Sequence, residues 1–135
     1  MDKTNIMADF RIMGDDFNIN DINSKLLLSP DYCWTKGEQI KIRPGFKREY
    51  TCWAISTGYE ISNNVNNQLS KITSRLNNKS AVLEEMCNML KLDYRFEVVI
   101  NIENGEKPAI YLNKDIIQLA SKIDAEIDID LYIYS

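Results

Sequence analysis

The chain contains no histidine. That absence removes the Ser-His-Asp and Cys-His arrangements, the commonest general base, and the usual imidazole ligands for zinc. Glycine is scarce, and Gly14, Gly37, Gly45, Gly58 and Gly105 stand alone, so no Gly-rich loop exists to cradle a phosphate. Cys33, Cys52 and Cys87 are odd in number and show no Cys-x-x-Cys spacing, which speaks against a disulfide framework and for reduced thiols. No apolar run reaches the ~18 residues of a membrane span. The opening Met-Asp-Lys-Thr-Asn lacks the basic and apolar regions of a secretory signal. No membrane partner and a cytoplasmic location are therefore expected. Basic residues are outnumbered, 16 against 20 acidic, for a net charge of -4. This balance argues against nucleic acid as the main partner, since phosphate binding needs a basic face.

What is present suits one domain, residues 1–135. A chain of that size buries roughly two-thirds of its unfolded surface, enough for a core without staples. Its last stretch is the most patterned. From Asp124 to Tyr134 the chain alternates strictly, with Ala125, Ile127, Ile129, Leu131 and Ile133 on one face and Asp124, Glu126, Asp128, Asp130, Tyr132 and Tyr134 on the other. Such a two-sided strand predicts an antiparallel sheet with helices on the apolar side.

The remaining segments are read as cover for that face. Met7 to Met13 predicts a strand with Phe10 and Ile12 inward and Asp9 and Arg11 outward. Asn20 or Asp21 is expected to cap a helix carrying Ile22, Leu26 and Leu27, and Pro30 blocks its continuation. A short edge strand is expected at Gln39 to Arg43, and another strand from Tyr50 to Thr57 with Trp53 and Ile55 on one side. Val65, Leu69, Ile72 and Leu76 form a helical stripe opened by Ser62, and a second helix, capped by Ser80, carries Leu83, Met86 and Leu90. Tyr94, Phe96, Val98, Ile100 and Ile102 define the inner face of a long strand whose outer face holds Arg95, Glu97, Asn101 and Glu103. Asn104-Gly105 then predicts a hairpin with Ala109 to Leu112 as its returning strand. Asn113 caps a last helix with Ile116, Ile117, Ala120 and Ile123 inward. The fold class is α+β, a mainly antiparallel sheet with helices on one face. An echo between Phe10 to Leu26 and Ala109 to Leu119 suggests two similar strand-helix-strand halves.

Three groups of residues are candidates for binding. Asp124, Glu126, Asp128 and Asp130 recur at every second position, ~6.5–7 Å apart, a spacing open to paired-carboxylate chemistry or a hard cation. The plainer reading is a solvated face relieved by cross-strand lysines or arginines. Trp34 sits in a loop beside Lys36-Gly37-Glu38, either plugging the core or standing out as an anchor, whereas Trp53 reads as core. Lys36, Lys41, Arg43, Lys47 and Arg48 face only Glu38 between positions 36 and 48; this basic segment is open to phosphate or an acidic partner, but the plainer expectation is that it lies near the acidic strand and neutralises it.

Phe10-Arg-Ile12-Met-Gly14, the Ile22 to Leu26 helix, Pro30, Lys36-Gly37-Glu38, Trp53 and Asp128-Ile-Asp130-Leu-Tyr132 together carry a resemblance. On these residues the chain resembles the bacterial domain of unknown function 4279 family over nearly its whole length. It departs at Asp124, where such chains are expected to favour glycine before the final strand, although aspartate also reaches the left-handed conformation. The resemblance implies a small bacterial α+β domain without an established activity. No catalytic residue, metal or cofactor is assigned from the residues. The leading functional expectation is a non-enzymatic module whose sheet face, with Asp128, Asp130 and Tyr132, docks a protein with a basic surface. A bacterial immunity protein or a phage-encoded inhibitor has this profile. The alternative is a small-molecule or metal-binding protein or enzyme, with Trp34, Lys36, Glu38 and Asp130 converging between the Trp34–Glu38 loop and the C-terminal strand. A homodimer formed by sheet-edge pairing is a third reading.

Overall fold

The computed structural model describes residues 3–135. A ten-residue strand, β1 (Asn5–Gly14), forms the middle of the sheet. Its alternation places Ile6, Ala8, Phe10 and Ile12 in the core. Gly14 ends it where a side chain would crowd the Phe17 ring and Leu92. Helix α1 (Ile19–Leu26) opens on Asn18, whose Oδ1 accepts from the backbone N–H groups of Asn20 and Asp21. Asn18, rather than Asn20 or Asp21, is thus the cap. Ile22 and Leu26 are buried, but Leu27 is the left-handed residue that stops the helix and points into solvent.

Strand β2 (Tyr32–Trp34) follows, a piece not anticipated in the sequence, and pairs antiparallel with β3 (Thr51–Ser56). Between them no strand forms at Gln39 to Arg43. Gln39 makes a single bridge to Lys47, and tight backbone bonds such as Ile40 N–H to Phe46 O (2.8 Å) fold the segment on itself. Trp53 on β3 is fully buried and its Nε1–H donates to Asn23 Oδ1 at 2.7 Å, tying α1 to the sheet. A two-residue strand, β4 (Glu60–Ile61), continues along the same side of β1.

Helices α2 (Val65–Arg75) and α3 (Ser80–Leu90) lie over the sheet. Asn64 caps α2 and donates its stripe Val65, Leu69 and Ile72, with Leu76 just beyond, to the core. Leu83 and Met86 of α3 are buried, but Leu90 is partly exposed at the helix end, and Lys79 precedes the helix without a side-chain cap. Strand β5 (Asp93–Ile102) shows the expected alternation throughout, with Tyr94, Phe96, Val98, Ile100 and Ile102 buried.

The hairpin after β5 does not form. Asn104 and Gly105 do turn with positive φ (52° and 68°), yet Ala109 to Leu112 is not a strand. Ala109 instead exchanges backbone hydrogen bonds with the segment before α2, to Asn63 O (2.8 Å) and from Val65 N–H (3.1 Å). The physical reason is that β5 has two edges, and β1 and β6 already fill them. Helix α4 (Lys114–Lys122), capped by Asn113, is the crossover to β6 (Glu126–Ile133). β6 therefore runs parallel to β5, not antiparallel as expected, because a helix rather than a turn joins them. The sheet order is β2-β3-β1-β5-β6, antiparallel except at its last pair, with the helices on one side. Both β1-α1-β2 and β5-α4-β6 run strand, helix, parallel strand, but β3 lies between β1 and β2, and Ala109 to Leu112, the strand of the echo's second half, does not form.

Two corrections concern apolar residues. Ile117 of α4 is exposed, while Ile116, Ala120 and Ile123 are buried. The apolar face of β6 is covered only at its start, where Ile127 packs against the core. Exposure rises from 36% at Ile129 to 49% at Leu131 and 70% at Ile133. No helix among the described residues is long and apolar enough to cross a membrane.

Candidate functional site

The helices leave one side of the sheet open, and the polar residues of its strands meet there. Pairing of β1 with β5 sets Asp9 opposite Glu97 and Arg11 opposite Arg95. Pairing of β5 with β6 continues the rows to Asp128 and Glu126. The side chains then alternate in sign. Arg11 Nη2 contacts Glu97 Oε2 at 2.9 Å and its Nε lies 3.6 Å from Asp9 Oδ2. Arg95 reaches Glu97 at 3.5 Å and Glu126 at 3.7 Å. A ladder of five charges, Asp9, Arg11, Glu97, Arg95 and Glu126, crosses three strands.

Asp9 is the buried end of this ladder, 1% exposed, although its strand position faces away from the helices. The Tyr32 hydroxyl on β2 donates to Asp9 Oδ2 at 2.7 Å, and among the described residues Oδ1 has no hydrogen-bond partner. Burial raises the Asp9 carboxyl above its ordinary pKa, more than Tyr32 and Arg11 lower it. Burial likewise raises Glu97 against the pull of Arg11. The neighbouring Cys52 thiol is pushed up to about 12 by burial, which disfavours the thiolate.

The ladder ends before the acidic row does. Asp128 and Asp130 are exposed, their cross-strand neighbours are Glu97 and Val99, and among the described residues neither has an ion-pair partner. The expected relief by a cross-strand cation therefore reaches Glu126 alone. Beside Asp130 stand exposed Tyr132 and Tyr134, and Tyr59 from the loop before β4. Tyr59 and Tyr134, with Asn5, Asn101 and Glu103, line a shallow depression of about 370 Å³. Acidic residues interleaved with tyrosine, on rigid strands, can meet a cationic surface with both charge and flat apolar area. Among the described residues no three carboxylates or thiols cluster closely enough to hold a metal ion.

The other candidates lie elsewhere. Trp34 is on β2, at the far edge of the sheet, half-buried on the open side. It is neither core plug nor free anchor. Its ring stacks on Tyr32 (centroids 5.9 Å), meets Tyr50 edge-on (5.7 Å), and lies under the Arg48 guanidinium at 4.0 Å. Lys36 pairs with the Asp15 carboxylate, and its backbone N–H donates to Thr51 Oγ1. Glu38 is exposed, and its backbone closes the loop by accepting from Arg48 N–H at 2.7 Å. Four strand steps of ~4.8 Å, roughly 19 Å, separate β2 from β6. Trp34, Lys36 and Glu38 therefore do not converge with Asp130, and the basic segment from Lys36 to Arg48 does not neutralise the acidic strand. Sequence alternation gives Asp9, Arg11 and Glu97 only as outward residues and Tyr32 only as one of the aromatics. Alternation assigns a face, but the β1–β5 register that brings them together links residues almost ninety positions apart.

Neither curated proteins nor solved structures yield a match to this chain. A family profile does, over residues 3–134, and its description is a domain of unknown function. With almost every residue spanned, the chain belongs to the DUF4279 family.

Proposed function

We propose that the chain is a non-enzymatic protein-interaction module that docks a partner with a basic surface through the β6 half of its open sheet face. Asp128, Asp130 and Tyr132 form the centre of that face, and Tyr59 and Tyr134 flank it. One observation carries the reading: the charge ladder neutralises Glu126 and stops, leaving Asp128 and Asp130 exposed without counter-charge among the described residues. Exposed carboxylates of one sign raise the association rate of a cationic partner and suppress anionic ones. A cytoplasmic bacterial immunity protein or phage-encoded inhibitor fits this arrangement, and the three free thiols suit a reducing compartment. The test is capture from host lysate by the wild-type chain and by an Asp128→Asn/Asp130→Asn variant. A partner with a basic isoelectric point, retained by the first, lost at least tenfold by the second and released by salt, is expected. Equal capture by both chains overturns the assignment.

The small-molecule reading narrows to the β2 edge. There Cys33, Trp34, Glu38, Ile40, Lys41 and Arg48 border a groove of about 320 Å³. Lys41 and Arg48 at its border favour an anionic ligand. A thermal-shift series with inorganic phosphate, nucleotides and dicarboxylates tests it, and no stabilisation at millimolar ligand removes it.

A further inference from the structure

We infer that β6 pairs with β6 of a second copy of this chain, antiparallel, with Leu131 on the two-fold axis. β6 ends the sheet, and among the described residues nothing pairs with its outer edge. Exposed edges are ordinarily blunted by charged side chains, lysine above all, by proline, by a bulge or by extreme shortness, and the three carboxylates of β6 all lie on the open face, which leaves the aliphatic row without a charge. β6 spans eight residues and carries no lysine or proline, in contrast to the three-residue β2 at the opposite edge. It also presents Ile129, Leu131 and Ile133, the most exposed aliphatic row of the sheet.

The backbone decides which groups are free. Tyr134 N–H donates to Ile102 O at 3.0 Å, so even-numbered residues of β6 direct their N–H and C=O groups toward β5. Those of Ile129, Leu131 and Ile133 point to the open edge. In an antiparallel pair centred on Leu131, these three residues supply the inter-chain hydrogen bonds, Leu131 to Leu131 and Ile129 to Ile133.

Charge then selects the register. Centring on Asp130 would set Asp130 against its own copy at the closely spaced position, and centring on Ile129 would set Asp128 against Asp130 twice. With Leu131 on the axis, Asp130 lies opposite Tyr132 and Asp128 opposite Tyr134, and no carboxylate faces another. It is the longest such overlap without opposed carboxylates. The two-fold axis is perpendicular to the sheet, so the six aliphatic side chains gather on the helix side. The two acidic rows gather on the other, which doubles the face proposed to bind a basic partner without depending on that proposal.

The experiment combines mass measurement with cross-linking in a Cys33→Ser background. Light scattering over 1–500 µM is expected to show a dimer. Leu131→Pro removes an N–H that serves only the open edge, a position where proline is tolerated in strands, and is expected to give a folded monomer. Leu131→Lys sets two ammonium groups together at the axis and is expected to weaken the dimer at least tenfold. Paired residues at a hydrogen-bonded antiparallel site have Cα atoms about 5.5 Å apart, within disulfide range. Leu131→Cys is therefore expected to cross-link to itself under mild oxidation at least tenfold faster than Asp130→Cys. A monomer at 500 µM, a dimer indifferent to Leu131→Lys, or faster cross-linking at position 130 would each overturn the assignment.

Discussion

The carboxyl of Asp9 is the most enclosed charge of the open sheet face, and its environment sets a pH dependence. Its folded-state pKa lies above the ordinary value because burial outweighs the Tyr32 hydrogen bond and the Arg11 charge. A carboxyl so raised binds its proton more tightly in the folded state. Its contribution to stability is therefore present in acid and lost as pH climbs from about 4 through the folded-state value. Asp9→Asn keeps the shape and removes that titration. The stability of Asp9→Asn relative to wild type is expected to rise between pH 4 and pH 7, measured by urea denaturation, and a constant difference would show that burial does not govern Asp9. Asp124 offers a second residue-level check. It links α4 to β6 with φ of 57°, the left-handed region that favours glycine. Asp124→Gly is expected to stabilise the fold by about 1 kcal/mol in the same assay, and a destabilised variant would mean that the aspartate makes up for its backbone strain.

Helix α4 shows how an element settles what its sequence leaves open. Ile116 and Ile117 both fit an amphipathic pattern, yet only Ile116 meets the core. Ile116→Ala is expected to cost about 2–4 kcal/mol by cavity formation. Ile117→Ala is expected to stay within about 0.5 kcal/mol of wild type and to lean stabilising, because alanine is the better helix former. Chemical denaturation of both variants checks the orientation, and equal losses would contradict it. Long alternating or periodic elements were legible in advance: β1, β3, β5 and the stripe of α2 fall on the expected residues. Short ones were not. Tyr32–Trp34 is too brief to carry a period, and at Asn104-Gly105 the turn chemistry was real while the partner strand was not, since pairing depends on which edges stand free.

At the scale of the whole molecule, charge is separated along the sheet. The basic loop between Lys36 and Arg48 flanks the β2 edge, and the acidic row lies on the β6 edge, roughly 19 Å away across four strand steps. That distance exceeds the Debye length of about 8 Å at physiological ionic strength, so the two ends act independently there. Despite its net charge of -4, the protein is expected to be retained on both anion and cation exchangers at about 0.1 M salt and pH 7, where the Debye length of about 10 Å is still shorter than that separation. Lys41→Gln/Lys47→Gln is expected to lose cation-exchanger retention without changing stability by more than about 0.5 kcal/mol. Unchanged retention would mean that the basic loop does not present its charge outward.

The sequence by itself determined the class of fold, the long strands, the core stripe of α2 and the two-sided character of β6, because side-chain alternation and helical periodicity are local properties of the chain. Only the tertiary structure decided that β6 lies parallel at an edge with its aliphatic row uncovered. It alone placed Trp34 and Asp130 at opposite ends of the sheet and drew Asp9, Arg11, Tyr32 and Glu97 together. Those outcomes rest on strand order and register, which are set by competition among distant segments for a limited number of sheet edges.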